Sequence, residues 1–415
     1  MDFLDITAIL LTLAALFAYI NHRWIKLPVT IGIMLISLIM SLVMIAVGQF
    51  IPAFDDSAKA FVESIDFNKA LMNCMLSYLL FAGALHVNLT ELKQQKRIVA
   101  IMATLGVTIT TFAVGSIAYY IFHMLGVEIP YAWCLVFGAL IAPTDPVAVL
   151  GILKTAGAPK SLETKITGES LFNDGVGVVI YLVLVGIATT GIGNVTVASV
   201  AHDFLVEAGG GILLGLALGY ICYKMLKSID NYHVEVLLTL ALVTAGYRLA
   251  MQYHLSGPLA MVIAGLMIGN HARENAMSEQ TRANVDTFWE LIDEILNAIL
   301  FLLIGLEIFI LDFSTPVIVA GLLLIPISLI VRYISTAAAV TLLRKHKEFT
   351  PGVIKILTWG GIRGGISVAL ALAIPKEAGD ARTHILVATY IIVIFSISVQ
   401  GLTLKSLISR SLAKK

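Results

Sequence analysis

Apolar runs of about 20 residues, separated by short charged or Pro/Gly-rich breaks, recur along the whole 415-residue chain. Lipid offers no partner to a free backbone N–H or C=O, so a segment that crosses a bilayer must satisfy its own hydrogen bonds, as helices and closed barrels do. Runs of this length suit a helix across about 30 Å of hydrocarbon, whereas barrel strands need only about 10 residues of alternating polarity. With 59% hydrophobic and 13% charged residues, the chain lies outside the range of soluble domains. The sequence predicts an all-α integral membrane protein. Thirteen candidate spans fall near residues 4–21, 28–48, 69–88, 98–123, 130–153, 164–190, 199–223, 233–252, 256–270, 286–310, 315–343, 351–374 and 384–407.

The charges sort these spans by side. Nineteen Lys and Arg follow the odd-numbered spans, against four in the opposite loops: Lys59, Lys69, Lys376 and Arg382. The positive-inside rule therefore puts the odd-numbered loops and the C-terminus in the cytoplasm and the N-terminus outside. The start, MDFLDI, has two acids and no basic region, so the first span is expected to stay rather than be cleaved as a signal. Cys74, Cys134 and Cys222 stand singly in apolar runs, without disulfide or zinc spacing. A net charge of zero says nothing about nucleic acid, but no basic domain or RNA-binding motif appears, so no nucleic-acid partner is expected. The absence of a GxxxxGK[ST] loop argues against ATP as the energy source.

Two spans are interrupted. In GALIAPTDPVAVLG, Pro143 and Pro146 remove the amides that would meet the carbonyls of Ala139 and Ala142. Asp145 reads as an N-cap with Pro146 at the first position of a second half-helix. A plain proline kink is the alternative; unwound backbone at membrane depth, joined by Thr144 and Asp145, fits better where protein or water covers it. In TWGGIRGGIS, four glycines surround Arg363 and permit unwinding and close helix approach. The broken spans are the fifth and the twelfth, seven apart. Two six-helix halves joined by one connecting helix are thereby inverted, the pattern of a secondary transporter whose substrate site lies at the midplane crossing.

The sixth span passes beside that crossing and contains GESLFND. Ser170 and Asp174 are four apart, as are Glu169 and Asn173, so one side of the helix is polar. An ionisable group at membrane depth costs at least about 2.5 to 3.5 kcal/mol and generally lines a solute or proton path, which singles out Asp174. Carboxylate, hydroxyl and carbonyl oxygens suit small hard cations, and no His or Cys accompanies them to favour a transition metal. Interhelical hydrogen bonding is the structural alternative for Ser170 and Asn173. Two acids one turn apart oppose each other's ionisation unless one is neutralised. Pairing of Glu169 with Arg332 would leave Asp174 as the titrating group and make Arg332 and Arg363 structural. Because Asn173 cannot titrate, one proton or one monovalent cation would occupy Asp174 in turn, an electroneutral exchange.

APTDP, GESLFND, FWELIDEILNAILFLLIGLEI, an arginine in the eleventh span and GGIRGG together resemble the monovalent cation/proton antiporters of the NhaP/NHE class. The likeness extends from about residue 75 to 375. It implies a thirteen-helix homodimer in the inner (plasma) membrane that exchanges Na+, Li+ or K+ for H+ without a cofactor. It implies scaffold helices over 1–94 and 193–312 and a transport core over 95–192 and 313–410 that moves like an elevator. Asp174 would bind cation and proton, Ser170 and Thr144 would be neutral ligands with Asp145 nearby, Asn173 would brace the broken fifth helix, and Glu169 would pair with Arg332. Several relatives have an acid in the third span where this chain has Ala82, which bears on cation preference.

Other features allow two readings each. Gly211, Gly215 and Gly219 form either a packing groove within one subunit or a dimer seam. Asp286, Glu290, Asp293 and Glu294 form either an acidic funnel or a solvated helix end. His86, His123, His233 and His254 read as interfacial. Lys405, Arg410, Lys414 and Lys415 suit a tail facing anionic lipid, with no regulatory domain expected beyond it.

Overall fold

The computed structural model describes residues 3–48, 50–51, 59, 62, 65, 75–191, 197–311, 313–344 and 349–412. Lys69, Cys74, Lys414 and Lys415, together with the first residues of the third span, lie outside them. The described residues form helices and connecting turns, with no strand among them.

In chain order the helices are α1 (Phe3–Ile20), α2 (Val29–Gly48), α3 (Leu76–Leu85), α4 (Leu89–Met124), α5a (Tyr131–Ile141) and α5b (Val147–Thr155). There follow α6 (Lys160–Thr190), α7 (Val197–Lys227), α8 (Tyr232–Gln252), α9 (Gly257–Met267) and α10 (Glu279–Glu307). The last are α11 (Thr315–Leu343), α12a (Val353–Trp359), α12b (Gly365–Leu372) and α13 (Asp380–Leu412). Each predicted span thus has its helix or pair of half-helices. Among the described residues, eight helices are long and apolar enough to cross a membrane unaided. The broken α5 and α12 are not among them, since neither half is long enough.

Helices begin where a cap can satisfy the first free amides. The Asn88 side chain accepts from the Thr90 and Glu91 amides at 2.8 and 3.2 Å to start α4. Ser278 accepts from Thr281 at 3.3 Å to start α10, and Ser256 caps α9 just before Pro258. Large exposed apolar side chains such as Leu213, Leu322 and Ile334 are what lipid-facing helices carry.

One apolar core joins α4, α5, α6, α11, α12 and α13 with α1, α2 and the latter part of α10. A second gathers α3, α7, α8, α9 and the first part of α10, and Leu92, Val99 and Leu171 reach it from α4 and α6. A Cβ at Gly211 or Gly215 would strike the Ser256 or Ala260 backbone of α9. The glycine repeat is therefore a packing groove within one subunit rather than a dimer seam. The sequence α4, α5a/α5b, α6 recurs as α11, α12a/α12b, α13, a long helix on either side of a broken one. These are the corresponding elements of two inverted repeats, and their breaks meet.

Candidate functional site

The two interruptions touch through the backbone: the Asp145 amide donates to the Ile362 carbonyl at 2.7 Å. Around α5 the unwinding differs in detail from the sequence expectation. The last turn of α5a tightens so that the Ala142 amide donates to Ala139 O at 3.3 Å. Proline has therefore not left the Ala139 carbonyl free. α5b restarts one residue later than expected, because Pro146 O, not Asp145 O, takes the first amides, from Val149 and Leu150 at 3.0 and 2.8 Å.

The carbonyl that turns toward α6 is that of Thr144. It accepts the Ser170 hydroxyl. The Thr144 amide donates to Asn173 Oδ1 at 3.3 Å, and Asn173 Nδ2 donates to Thr144 Oγ1 at 2.9 Å. Ser170 and Asn173, three apart on one face of α6, thus hold one residue of the break by three hydrogen bonds. Asp174, next along α6, is turned toward open space. It is 4% exposed, and its Oδ1 has no hydrogen-bond partner among the described residues.

That space is a cavity of about 990 Å³ lined by Thr144, Asp145 and Asp174. Its opposite wall is α10, where Asp286, Glu290, Asp293 and Glu294 all face the cavity, although Asp286 also pairs with Arg273 at 2.5 Å. Glu91, Lys160 and Arg282 line it too, at the membrane face where the basic loops lie. His86 lines it as well, whereas His123 stacks on Tyr119 with ring centroids 6.2 Å apart. α3 supplies apolar wall from Leu79, Leu80 and Gly83, and Ala82 is fully buried. Ser367 and Asn297 are among the lining residues that sequence reasoning did not single out. The Ser367 hydroxyl is buried without a partner among the described residues. Its signal was slight, a single serine just after GGIRGG.

Glu169 points away from the cavity and forms an ion pair with Arg332 of α11, both side chains buried. Arg332 Nη2 also donates to Leu357 O at 3.4 Å, near the end of α12a. Arg363 donates through Nε to Ile141 O at 3.1 Å and through Nη1 to Gly361 O at 2.6 Å. Its guanidinium sits at the C-terminal end of α5a, where free carbonyls and the helix dipole favour a cation. The break in α12 is braced from α13, which forms a π-helical turn at Ser396–Gln400. The Arg363 amide donates to Ser396 Oγ at 2.9 Å, Ser396 Oγ donates to Gln400 Oε1 at 2.5 Å, and Gln400 Nε2 donates to Trp359 O at 2.9 Å. Two glycines of the motif are needed for close approach. A Cβ at Gly361 would meet the Arg332 guanidinium at 2.7 Å, and one at Gly364 would collide with the Asp145 carboxylate.

Two broken helices whose interruptions meet, with a buried carboxylate facing an acid-lined cavity, define the fold class of inverted-repeat secondary transporters. The chain belongs to the sodium/hydrogen exchanger family: the family described as "Sodium/hydrogen exchanger, transmembrane" matches residues 11–410. It is 48% identical over 412 residues to the Na(+)/H(+) antiporter NhaP of Pseudomonas aeruginosa, covering 98% of this chain and 96% of that protein. It is 33% identical to the Na(+)/H(+) antiporter NhaH of Halobacillus dabanensis, over 94% of this chain and 93% of that one. Its fold is similar to the solved sodium proton antiporter MjNhaP1 of Methanocaldococcus jannaschii at pH 8, with a TM-score of 0.76, 22% identity and complete coverage of both chains.

Proposed function

We propose that the chain is a Na+/H+ antiporter in which a monovalent cation and a proton compete for Asp174. The observation that carries this reading is the unpartnered, buried Asp174 Oδ1 facing a cavity whose walls are acidic. An isolated carboxylate in that position is unfavourable unless something positive occupies it, and only a proton or a small cation fits beside a hydroxyl and a carbonyl. The Ser170 hydroxyl and the Thr144 oxygens are the neutral ligands, with Asp145 nearby, and Asn173 acts by bracing Thr144. Glu169 is neutralised by Arg332 and Arg363 is committed to helix-end carbonyls, so one charge is exchanged for one. The cycle is electroneutral.

The acidic α10 wall concentrates cations from the face where the cavity opens, which the basic loops identify as cytoplasmic. The N-terminus then lies outside and the C-terminus inside the plasma membrane. Alternating access is an elevator movement of α4–α6 and α11–α13 against α1–α3 and α7–α10 in a homodimer. Proteoliposomes test the reading through internal pH change on addition of Na+, Li+ or K+, with Na+ and Li+ repeated under a valinomycin clamp. Proton movement driven by Na+ and indifferent to voltage is expected. Movement that follows imposed voltage would rule out electroneutral exchange through one carboxylate, and a response to K+ alone would make the chain a K+/H+ exchanger.

A further inference from the structure

Outside the transport cavity, a groove of about 340 Å³ runs between α4 and α6. Its floor is Leu92, Val99 and Ala103, all buried, and half-buried Phe172 and Val176 of α6 form the opposite wall. Lys93, Lys96, Ala100 and Ala103 are spaced three, four and three, so they follow one face of α4 along the groove. Gly168 brings α6 hard against the floor, since a Cβ there would stand 2.7 Å from the Leu92 side chain and 3.2 Å from that of Val99. The groove is therefore shaped by helix packing.

One end of the groove is charged and the rest is apolar. Lys93 and Lys96 are exposed at the end nearest the start of α4, on the membrane face where the basic loops lie. Neither forms an ion pair among the described residues, whereas Lys160 and Arg273 on the same face reach Glu91 and Asp286 at 3.8 and 2.5 Å. From Lys93 to Thr104, the last α4 residue on the groove, the helix rises about 16 Å. That is about half of a hydrocarbon core of about 30 Å, the depth of one leaflet. Free positive charge at one end and an apolar channel one leaflet deep complement a lipid with an anionic headgroup. A soluble anion would leave the apolar floor unused. A second copy related by a two-fold axis along the membrane normal would meet this groove at equal depth and set lysine against lysine.

We propose that this groove is a binding site for one anionic phospholipid of the leaflet on the basic-loop side, with its phosphate held by Lys93 and Lys96 and one acyl chain laid between α4 and α6. Lysines at the membrane surface attract anionic headgroups, and a chain in the groove covers apolar side chains that no helix of this subunit covers. Phe172 and Val176 line the groove and not the transport cavity, so the chain packs behind the turn of α6 that carries Asn173 and Asp174. The site needs only the groove and its lysines, and it stands whether or not the chain exchanges ions.

The test counts lipids retained by the detergent-purified full chain in native mass spectrometry, during titration with phosphatidylglycerol or with zwitterionic phosphatidylcholine. The double variant Lys93→Gln, Lys96→Gln is expected to lose one phosphatidylglycerol per chain, its apparent Kd rising about 10- to 30-fold, while phosphatidylcholine binding changes by less than about twofold. Ala100→Trp, at an exposed position, fills the groove without altering charge and is expected to lose the same lipid, with a Kd about tenfold higher. An unchanged phosphatidylglycerol count in the lysine variant overturns the site. Retention by Ala100→Trp overturns it too, because the lysines would then act as a charged surface without a groove. Displacement of the lipid by glycerol phosphate, which has the headgroup chemistry and no chain, would make the ligand a soluble anion and overturn the proposal. A change of oligomeric state in Ala100→Trp with the lipid count unaltered would give the groove to a second copy and likewise overturn it.

Discussion

The two breaks that meet at the centre of the molecule are built by opposite means. Prolines interrupt α5, and the break is held from α6 by the side chains of Ser170 and Asn173. Its Thr144 and Asp145 stay on the cavity wall. Glycines interrupt α12, and the break is held from α13 by Ser396 and Gln400. It carries the fixed cation Arg363, whose Nε and Nη1 donate to backbone carbonyls. Proline removes donors and leaves oxygen atoms for a ligand, whereas glycine removes bulk and admits neighbours. The proposed site therefore takes its oxygen ligands from the first break, while the second, whose Gly364 and Gly365 also line the cavity, holds a fixed cation.

Substitutions can break or sharpen this division. The largest effect is expected of Asp174→Asn, which should abolish Na+-driven proton movement in proteoliposomes while the protein still elutes as a folded species. Full transport by this variant would remove the site from the α5–α6 contact. Next is Glu169→Gln, which leaves Arg332 buried and unpaired at a cost of about 3 to 5 kcal/mol. It should appear as a large drop in thermal stability in detergent, and unchanged stability would mean that the ion pair does not support α12. Gln400→Leu strips the Trp359 carbonyl and the Ser396 hydroxyl of partners on the glycine-built side, a cost of about 1 to 3 kcal/mol. Thermal melting should register that loss while the Na+ KM stays within about twofold; a KM change larger than the stability change would mean that the α12 break also binds. The smallest effect is expected of Ser170→Ala on the proline-built side. Loss of one hydroxyl worth about 1 kcal/mol should raise the Na+ KM about fivefold with little change in melting.

Which parts of the site were legible in the sequence follows the same division. Pro143, Pro146, Ser170, Asn173 and Asp174 lie in motifs whose chemistry is improbable inside an apolar run, so they stand out without a partner in view. Ser396, Gln400 and Ser367 do not, because a single serine or glutamine is common in membrane helices. Their meaning comes from groups far away in the chain: Gln400 from Trp359, 41 residues distant, and Arg363 from Ile141, 222 residues distant. The freed carbonyl was also assigned by counting along a regular helix. A tightened last turn satisfied Ala139 and left Thr144 to face α6.

Hydropathy and loop charge by themselves determined the spans, because a bilayer penalises every unsatisfied backbone group and sorts basic residues to one side. The two interruptions and their separation by seven spans were likewise written in Pro and Gly. Only the tertiary structure decided which oxygens meet, that the α10 acids share a cavity with Asp174, and that the α7 glycines serve α9. The physical reason is that these depend on how far each helix slides and turns against its neighbours. Packing of side chains sets that geometry, and local sequence does not encode it.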